Sequence, residues 1–381
     1  MLKIVAVFGT RPEAIKMAPL VKLLEKDEAI DCRVVVTAQH REMLDQVLGL
    51  FDIRPAHDLD IMRPGQSLFD ITGRALGGLG PVLEKERPDL VLVHGDTTTT
   101  FVAALASYYL RLPVGHVEAG LRTGDRYSPF PEEMNRHLTG ALAELHFAPT
   151  PASRNNLLRE GVARDKIFVT GNTVIDALLA TIRPDYSFEG REQALAGIDF
   201  DSRRVLLVTT HRRENLGEPM REIYLALAEI VRDYPGVEVI FPVHRNPAVR
   251  GVAEEALGGL DRVHLIEPMD YEPFVNLMAR SHLVLTDSGG MQEEAPSLGK
   301  PVLVLRNTTE RPEAAEAGTV KLVGASRAAV LKETRRLLDD PGAYRAMSNA
   351  VNPYGDGKAS GRIVASIKYR YGLVNSPPEE F

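Results

Sequence analysis

Thiol chemistry has almost nothing to work with here: the 381 residues hold one cysteine, Cys32. That excludes an intrachain disulfide and a cysteine-based zinc site. Excess positive charge is missing too. There are 45 Lys and Arg against 52 Asp and Glu, a net charge of −7, and no long basic run, which argues against a nucleic-acid partner. No segment approaches the roughly 18 consecutive apolar residues of a membrane span. The opening MLKIVAVFGTRPE turns charged after a short apolar run and lacks the cleavage pattern of a signal peptide. A soluble, cytoplasmic protein without membrane contact is expected.

Several cofactor motifs are missing as well. No G-x-G-x-x-G follows a strand: residues 77–80 read GGLG, and Leu83 stands where the third glycine is needed. A nicotinamide-dependent enzyme is therefore disfavoured. Gly299-Lys300 lacks the earlier glycine of a P-loop, and Pro301 replaces its Ser or Thr. His116-Val117-Glu118 imitates the start of a zinc-deaminase motif whose two cysteines are absent. No H-E-x-x-H occurs. His94, His116, His211 and His244 leave one metal site conceivable, but the expectation is no metal and no cofactor.

What is present is ordinary for a globular protein: 44% hydrophobic and 25% charged residues, and a length that at about 150 residues per domain gives two. Short β-branched runs recur: KIVAVFG (3–9), CRVVVTA (32–38), DLVLVHG (89–95), LPVGHVE (112–118), KIFVTGN (166–172), RVLLVTT (204–210), VEVIFPVH (237–244), RVHLIEP (262–268), HLVLTDSG (282–289) and PVLVLRN (301–307). Continuous apolar runs of this length are strands buried on both faces, as in parallel sheets. Amphipathic stretches such as 14–27, 222–234 and 327–340 lie between them. The alternation predicts an α/β chain with two Rossmann-like, doubly wound parallel-sheet domains, joined near 168–180, and a last helix over 360–371.

Polar residues cluster just after the strands, at the edge where open α/β sheets bind ligands. Thr10-Arg11, Gln39-His40, Asp96 and Glu118 hold such places in the first half. His211-Arg212-Arg213, His244-Arg245, Asp287-Ser288 and Asn307 hold them in the second. Two carboxyl edges facing each other across a cleft are expected.

Individual motifs admit a functional and a plain reading. In SGGMQEEAPSLGKP (288–301), Ser288, Gly289 and Gly290 suit a phosphate at a helix start, and Glu294 suits a ribose; a capped glycine turn would look the same. In GTRPEAIKMAPL (9–20), Arg11 and Lys16 can reach a diphosphate, or Arg11 is a surface residue beside a Thr cap. Asp96, Glu118 and Glu132 would place three carboxylates at one mouth, enough for acid and base roles with split pKa values. Asp96 can equally be a turn residue, and Glu132 with Arg136 an i,i+4 ion pair. His211, Arg212 and Arg213 read as an anion site in an acidic protein, and His244 with Arg245 repeats the theme.

With GTRPEAIKMAPL, TAQHREMLDQVL, HGDTTTT, GHVEAGLRTGD, SPFPEEMNR, GNTVIDAL, HRREN, DSGGMQEEAPSLGKPVLVLR, TTERPEA and AGTVKLVG in order, nearly the whole chain resembles the bacterial non-hydrolysing UDP-N-acetylglucosamine 2-epimerases. The resemblance implies a glycosyltransferase-B-like fold, with residues 1–168 plus a returning helix, 360–381, as one domain and 169–359 as the other. It implies a homodimer that interconverts UDP-GlcNAc and UDP-ManNAc through elimination of UDP to a 2-acetamidoglucal and re-addition, serving cell-surface polysaccharide synthesis. Asp96, Glu118, Glu132 and His211 match its catalytic positions. Arg11, Lys16, Arg136, Arg213, His244, Ser288, Gly289, Gly290, Glu294 and Arg311 match or flank its substrate positions, and the uracil belongs beside Pro268-Met269 and Phe274. A second UDP-GlcNAc, as allosteric activator, would meet Gln39, His40, Gln66, Glu132, Arg212 and His244; Gly65 stands where some members carry an arginine. Which carboxylate is acid and which is base stays open. A hydrolysing epimerase, a retaining glycosyltransferase and a nucleotide-sugar sensor are the alternatives.

Overall fold

From Ile4 to Phe8 five consecutive side chains have no solvent exposure. In a strand that requires cover on both faces, and a parallel sheet flanked by helices provides it. The computed structural model describes residues 1–39, 41–190 and 192–381. It divides into two units, Met1–Ala180 with Tyr354–Phe381, and Thr181–Pro353.

The first unit holds β1 (Leu2–Phe8), β2 (Ile30–Val36), β3 (His57–Asp58), β4 (Leu90–His94), β5 (Val114–Val117), β6 (Leu145–Ala148) and β7 (Ile167–Val169). They form one parallel sheet in the order β3-β2-β1-β4-β5-β6-β7. The second unit holds β8 (Arg204–Thr209), β9 (Val237–Pro242), β10 (Val263–Ile266), β11 (Leu283–Thr286), β12 (Val302–Val304) and β13 (Val320–Leu322), all parallel in the order β10-β9-β8-β11-β12-β13. Strands β3, β6 and β13 do not appear among the runs singled out in the sequence. β3 is two polar residues, β13 is only three residues long with Lys321 at its centre, and His146 interrupts the apolar run of β6.

Each sheet starts in its middle and grows outward in both directions. The chain therefore leaves β1 toward one side and β4 toward the other, and likewise β8 and β11. Loops diverging at such a point leave a crevice at the carboxyl ends of those two strands. In the first unit these loops begin at Gly9-Thr10 and Gly95-Asp96. In the second they begin at Thr210-His211 and Asp287-Ser288.

The joins fall at 180/181 and 353/354, against the 168/169 and 359/360 anticipated, because the chain around them is anchored in the first unit. Asn172 N donates to Tyr354 O at 2.7 Å. The Asp176 carboxylate accepts from Ala359 N and Ser360 N at 3.2 and 2.7 Å, capping the helix Ala359–Arg370. That helix packs against Arg11–Lys26, with Lys368 Nζ 2.6 Å from Asp27 Oδ2.

Candidate active site

The first unit's crevice is built around Glu13. Gly9 ends β1 where a Cβ would collide with the Thr37 and Thr99 hydroxyls, so only glycine fits. Thr10 then holds the N-cap position of the helix Arg11–Lys26. The fully buried Glu13 carboxylate accepts from Gly9 N and Thr10 N, at 3.0 and 2.8 Å. On its other oxygen it accepts from Thr97 Oγ1 and Thr100 Oγ1, at 2.6 and 2.9 Å. One side chain thus fixes the β1 loop to the β4 loop that carries Asp96. Burial pushes its carboxyl above the usual range, against the pull of those hydrogen bonds.

Asp96 is half-buried and held by the helix Glu132–Leu142. Arg136 Nε and NH2 donate to Asp96 Oδ2 at 3.0 and 2.6 Å, and Asn135 Nδ2 donates to Asp96 O at 2.9 Å. The third guanidinium nitrogen reaches Glu133 Oε2 at 3.0 Å. Burial disfavours the Arg136 cation, but Asp96 and Glu133 more than offset this and hold it charged. Arg136 is therefore engaged with Asp96 and Glu133; the i,i+4 spacing to Glu132 had suggested a different pair.

Glu118 follows β5 with φ +62°, a left-handed conformation that non-glycine residues adopt at a cost and that clusters at functional sites. Its Oε2 accepts from the Lys16 ammonium and, at 2.8 Å, from Asn172 Nδ2. Behind it lies His94, 2% exposed, with Nε2 3.9 Å from the same oxygen. Burial pushes the His94 imidazole down to about 4, so it is neutral at physiological pH.

These groups line one cavity of about 360 Å³. Its walls include Thr10, Lys16, Gln39, His94, Asp96, Glu118 and Glu132, with Pro12, Leu68 and Pro131 as apolar wall. The three carboxylates singled out in the sequence thus share one cavity. Arg11, half-buried, stands between the lining residues Thr10 and Pro12. Gln39 accepts from Thr99 Oγ1 at 3.1 Å, and Gln66 accepts from Arg63 N at 3.1 Å, two residues before Leu68. His40 lies outside the described residues.

In the second unit the organising residue is Asp287, fully buried after β11. Its carboxylate accepts from His211 N at 3.1 and 3.0 Å, from Arg212 N at 3.0 Å and from Asn215 Nδ2 at 3.2 Å. His211 Nδ1 lies 3.2 Å from Asp287 Oδ1. The His211 ring stacks on that of His244 with centroids 5.9 Å apart, and His244 Nδ1 accepts from Asn246 N at 3.1 Å. Burial pushes the His211 imidazole below its usual value; Arg212, His244 and Arg306 add to this, and Asp287 opposes it.

The glycine turn adjoins this loop. Arg212 Nε donates to Asp287 O at 3.3 Å, and a terminal guanidinium nitrogen lies 3.9 Å from where a Gly289 Cβ would be. Ser288 starts the helix Gly289–Glu294, and Glu294 Oε1 is 3.8 Å from a Cβ built on Gly290. Arg311 donates to the buried Glu293, next to Glu294. Arg213 is exposed at the start of a short 3₁₀ turn, and Phe274 is half-buried in the helix Tyr271–Arg280.

Four residues that organise these sites carried no assigned role in the sequence: Glu13, Asn172, Asp287 and, as Glu118's neighbour, His94. Asp287 had a signal, a carboxylate at a strand end. Glu13 had one too, three residues after a threonine cap, but that pattern also marks any helix start.

Among the described residues no group of three or more His, Cys, Asp or Glu side chains gathers as metal ligands, and no helix is long and apolar enough to cross a membrane. A family profile described as UDP-N-acetylglucosamine 2-epimerase matches residues 22–368. The UDP-N-acetylglucosamine 2-epimerase of Escherichia coli (strain K12) is 58% identical over 371 residues, covering 96% of this chain and 98% of that one. The enzyme of the same name from Bacillus subtilis (strain 168) is 56% identical over 380 residues, covering 100% and 98%. The crystal structure of UDP-GlcNAc 2-epimerase from Neisseria meningitidis bound to UDP-GlcNAc superposes with a TM-score of 0.86 at 53% identity, covering 96% of this chain and 99% of that one.

Proposed function

The chain belongs to the UDP-N-acetylglucosamine 2-epimerase family and is an isomerase acting on UDP-N-acetylglucosamine; on that premise we propose that it works without hydrolysis, by eliminating UDP and adding it back. The observation that carries the proposal is the set of three carboxylates, Asp96, Glu118 and Glu132, lining one cavity with Lys16. The C2 hydrogen of the sugar is not adjacent to a carbonyl, so its removal needs a concerted gain. Loss of UDP from C1 provides it: the C2 proton goes to a carboxylate, the C1–O bond breaks, and a 2-acetamidoglucal remains. Protonation of C2 from its other face and attack of the UDP β-phosphate oxygen at C1 give UDP-ManNAc. Two carboxyl groups on opposite faces are the minimum such a route needs.

Within this reading Asp96, Glu118 and Glu132 are the catalytic groups around C2, and Lys16 and Arg136 pair with Glu118 and Asp96 and aim them. The UDP moiety is assigned to the second unit. His211, Arg212 and Arg213 would face the diphosphate with Ser288, Gly289 and Gly290, Glu294 the ribose, and Phe274 the uracil. Arg11 and His244 complete the substrate set, and Arg311 supports Glu294 through its neighbour Glu293. A homodimer, a cytoplasmic location, UDP-GlcNAc activation through Gln39, His40, Gln66, Arg212 and His244, and supply of UDP-ManNAc for cell-surface polysaccharide belong to the same reading, carried by resemblance.

One NMR time course tests it. In D2O with UDP-GlcNAc as sole substrate, deuterium must enter C2 of both nucleotide sugars, and the mixture must stop at an equilibrium of the two. Accumulation of free ManNAc with UDP would make the enzyme hydrolysing. Isomerisation without deuterium at C2 would remove the elimination route.

A further inference from the structure

Histidine beside an anion is usually read as a fixed cation. The surroundings of His211 argue for something different. Asp287 is completely buried, and it spends its carboxylate on the loop that carries His211: two backbone N–H groups, the Asn215 amide, and a side-chain oxygen 3.2 Å from His211 Nδ1. A carboxylate 3.2 Å from Nδ1 favours the hydrogen there in the neutral ring, which leaves Nε2 as the nitrogen that can gain or lose a proton. The groups facing the ring are Asp287, Arg212, His244 and Arg306. Three of these bear or can bear positive charge, and with burial they outweigh Asp287 and keep the imidazole neutral.

We infer that His211 and Asp287 form a proton-coupled latch for the nucleotide's diphosphate, with His211 neutral in the empty enzyme and protonated at Nε2 when the diphosphate is bound. Asp287 is the positioning residue of the pair. A diphosphate arriving beside the ring reverses the balance of charge around it. The proton comes from solvent on binding and returns to solvent on release, so atoms and charge balance. During turnover the same proton gives the departing β-phosphate a charged hydrogen-bond donor only while UDP is in place. Arg212, whose guanidinium lies against Asp287 O and Gly289, is charged throughout and supplies attraction without this switch. The inference rests on the assignment of UDP to this unit.

Calorimetry with UDP on the full chain separates the two. At about pH 7.5 the nucleotide's terminal phosphate is almost fully ionised, its second pKa lying near 6, so a heat that varies with the buffer reports proton uptake by the protein. Titrations in buffers with different ionisation heats are expected to show uptake of half to one proton per UDP. His211→Gln should abolish the uptake while UDP still binds, at roughly tenfold weaker affinity, about the value of one charged contact. Asp287→Asn should reduce it; where that variant does not fold, the His211→Gln comparison decides alone. UDP binding with no buffer dependence overturns the latch and leaves the UDP assignment standing. Absence of UDP binding overturns the assignment itself, and the latch with it.

Discussion

Two N–H groups of Arg136 converge on one carboxylate oxygen of Asp96, Nε at 3.0 Å and a terminal nitrogen at 2.6 Å. Forty residues separate the pair in the sequence, and the helix Glu132–Leu142 brings them together. A guanidinium that is 8% exposed and shared between Asp96 and Glu133 acts through Asp96.

The first prediction follows from that engagement. If Arg136 aims Asp96, Arg136→Met lowers kcat about 100-fold, the scale of one misplaced acid–base group, and leaves KM for UDP-GlcNAc within about threefold. Arg136→Lys keeps the charge but not the fork, and recovers only part of the loss. Steady-state kinetics in both variants decide it. A rise in KM at unchanged kcat would instead place Arg136 on the substrate.

Lys16 and Glu118 are predicted to act as one unit. The ammonium donates to the carboxylate inside the cavity, and Asn172 holds the same oxygen at 2.8 Å. Glu118→Gln and Lys16→Met each remove one half of a charge pair, so each is expected to cost about 100-fold or more in kcat. Independent residues would multiply to about 10⁴ in the double variant. Coupled ones give a double variant close to the worse single. A full product of the two losses would show that Lys16 works on another group.

Much of this arrangement is legible before any coordinates. Ten apolar runs mark ten of the thirteen strands, and Asp96, Glu118, His211 and Ser288 stand at strand ends because the parallel pattern puts the ligand-binding edge there. Partners are harder to read than places. Spacing relates Arg136 to Glu132 on one helix turn, whereas its partners are Glu133 on that turn and Asp96 from the neighbouring loop. Asn172 meets Glu118 only because β5 and β7 end at the same edge of the sheet. β3 and β13 are too short for any periodicity to show.

Glu13 yields a stability prediction. Its two oxygens accept from two backbone N–H groups and two threonine hydroxyls, all buried or nearly so. Glu13→Ala leaves those donors without an acceptor and is expected to cost about 3 kcal/mol of unfolding free energy. Glu13→Gln should cost only about 1 kcal/mol, because its carbonyl can take the backbone donors while the hydroxyls turn to accept from its amide. Urea unfolding of the two variants checks the order. Equal costs would mean that the side chain's volume, not its hydrogen bonds, joins the loops.

The last prediction concerns acid. His94, His116 and His146 end or lie within adjacent strands β4, β5 and β6, and burial pushes them down to about 4, 3 and 4 respectively. In the unfolded chain each returns to about 6.5. Above that value neither state is protonated, and the three cost nothing. As the pH falls below it, the unfolded chain takes up protons that the folded chain refuses, so stability declines from about pH 6.5 down through the folded values. By pH 5 the loss is about 2 kcal/mol per histidine. Glu13 and Asp176, whose carboxyls burial raises, work in the opposite direction and trim the total. Urea midpoints at pH 7 and pH 5 should therefore differ by several kcal/mol in unfolding free energy. His146→Gln removes one of the three rings and should flatten that dependence by close to one histidine's share. An unchanged slope in that variant would mean that the His146 ring is already free to take a proton in the folded protein.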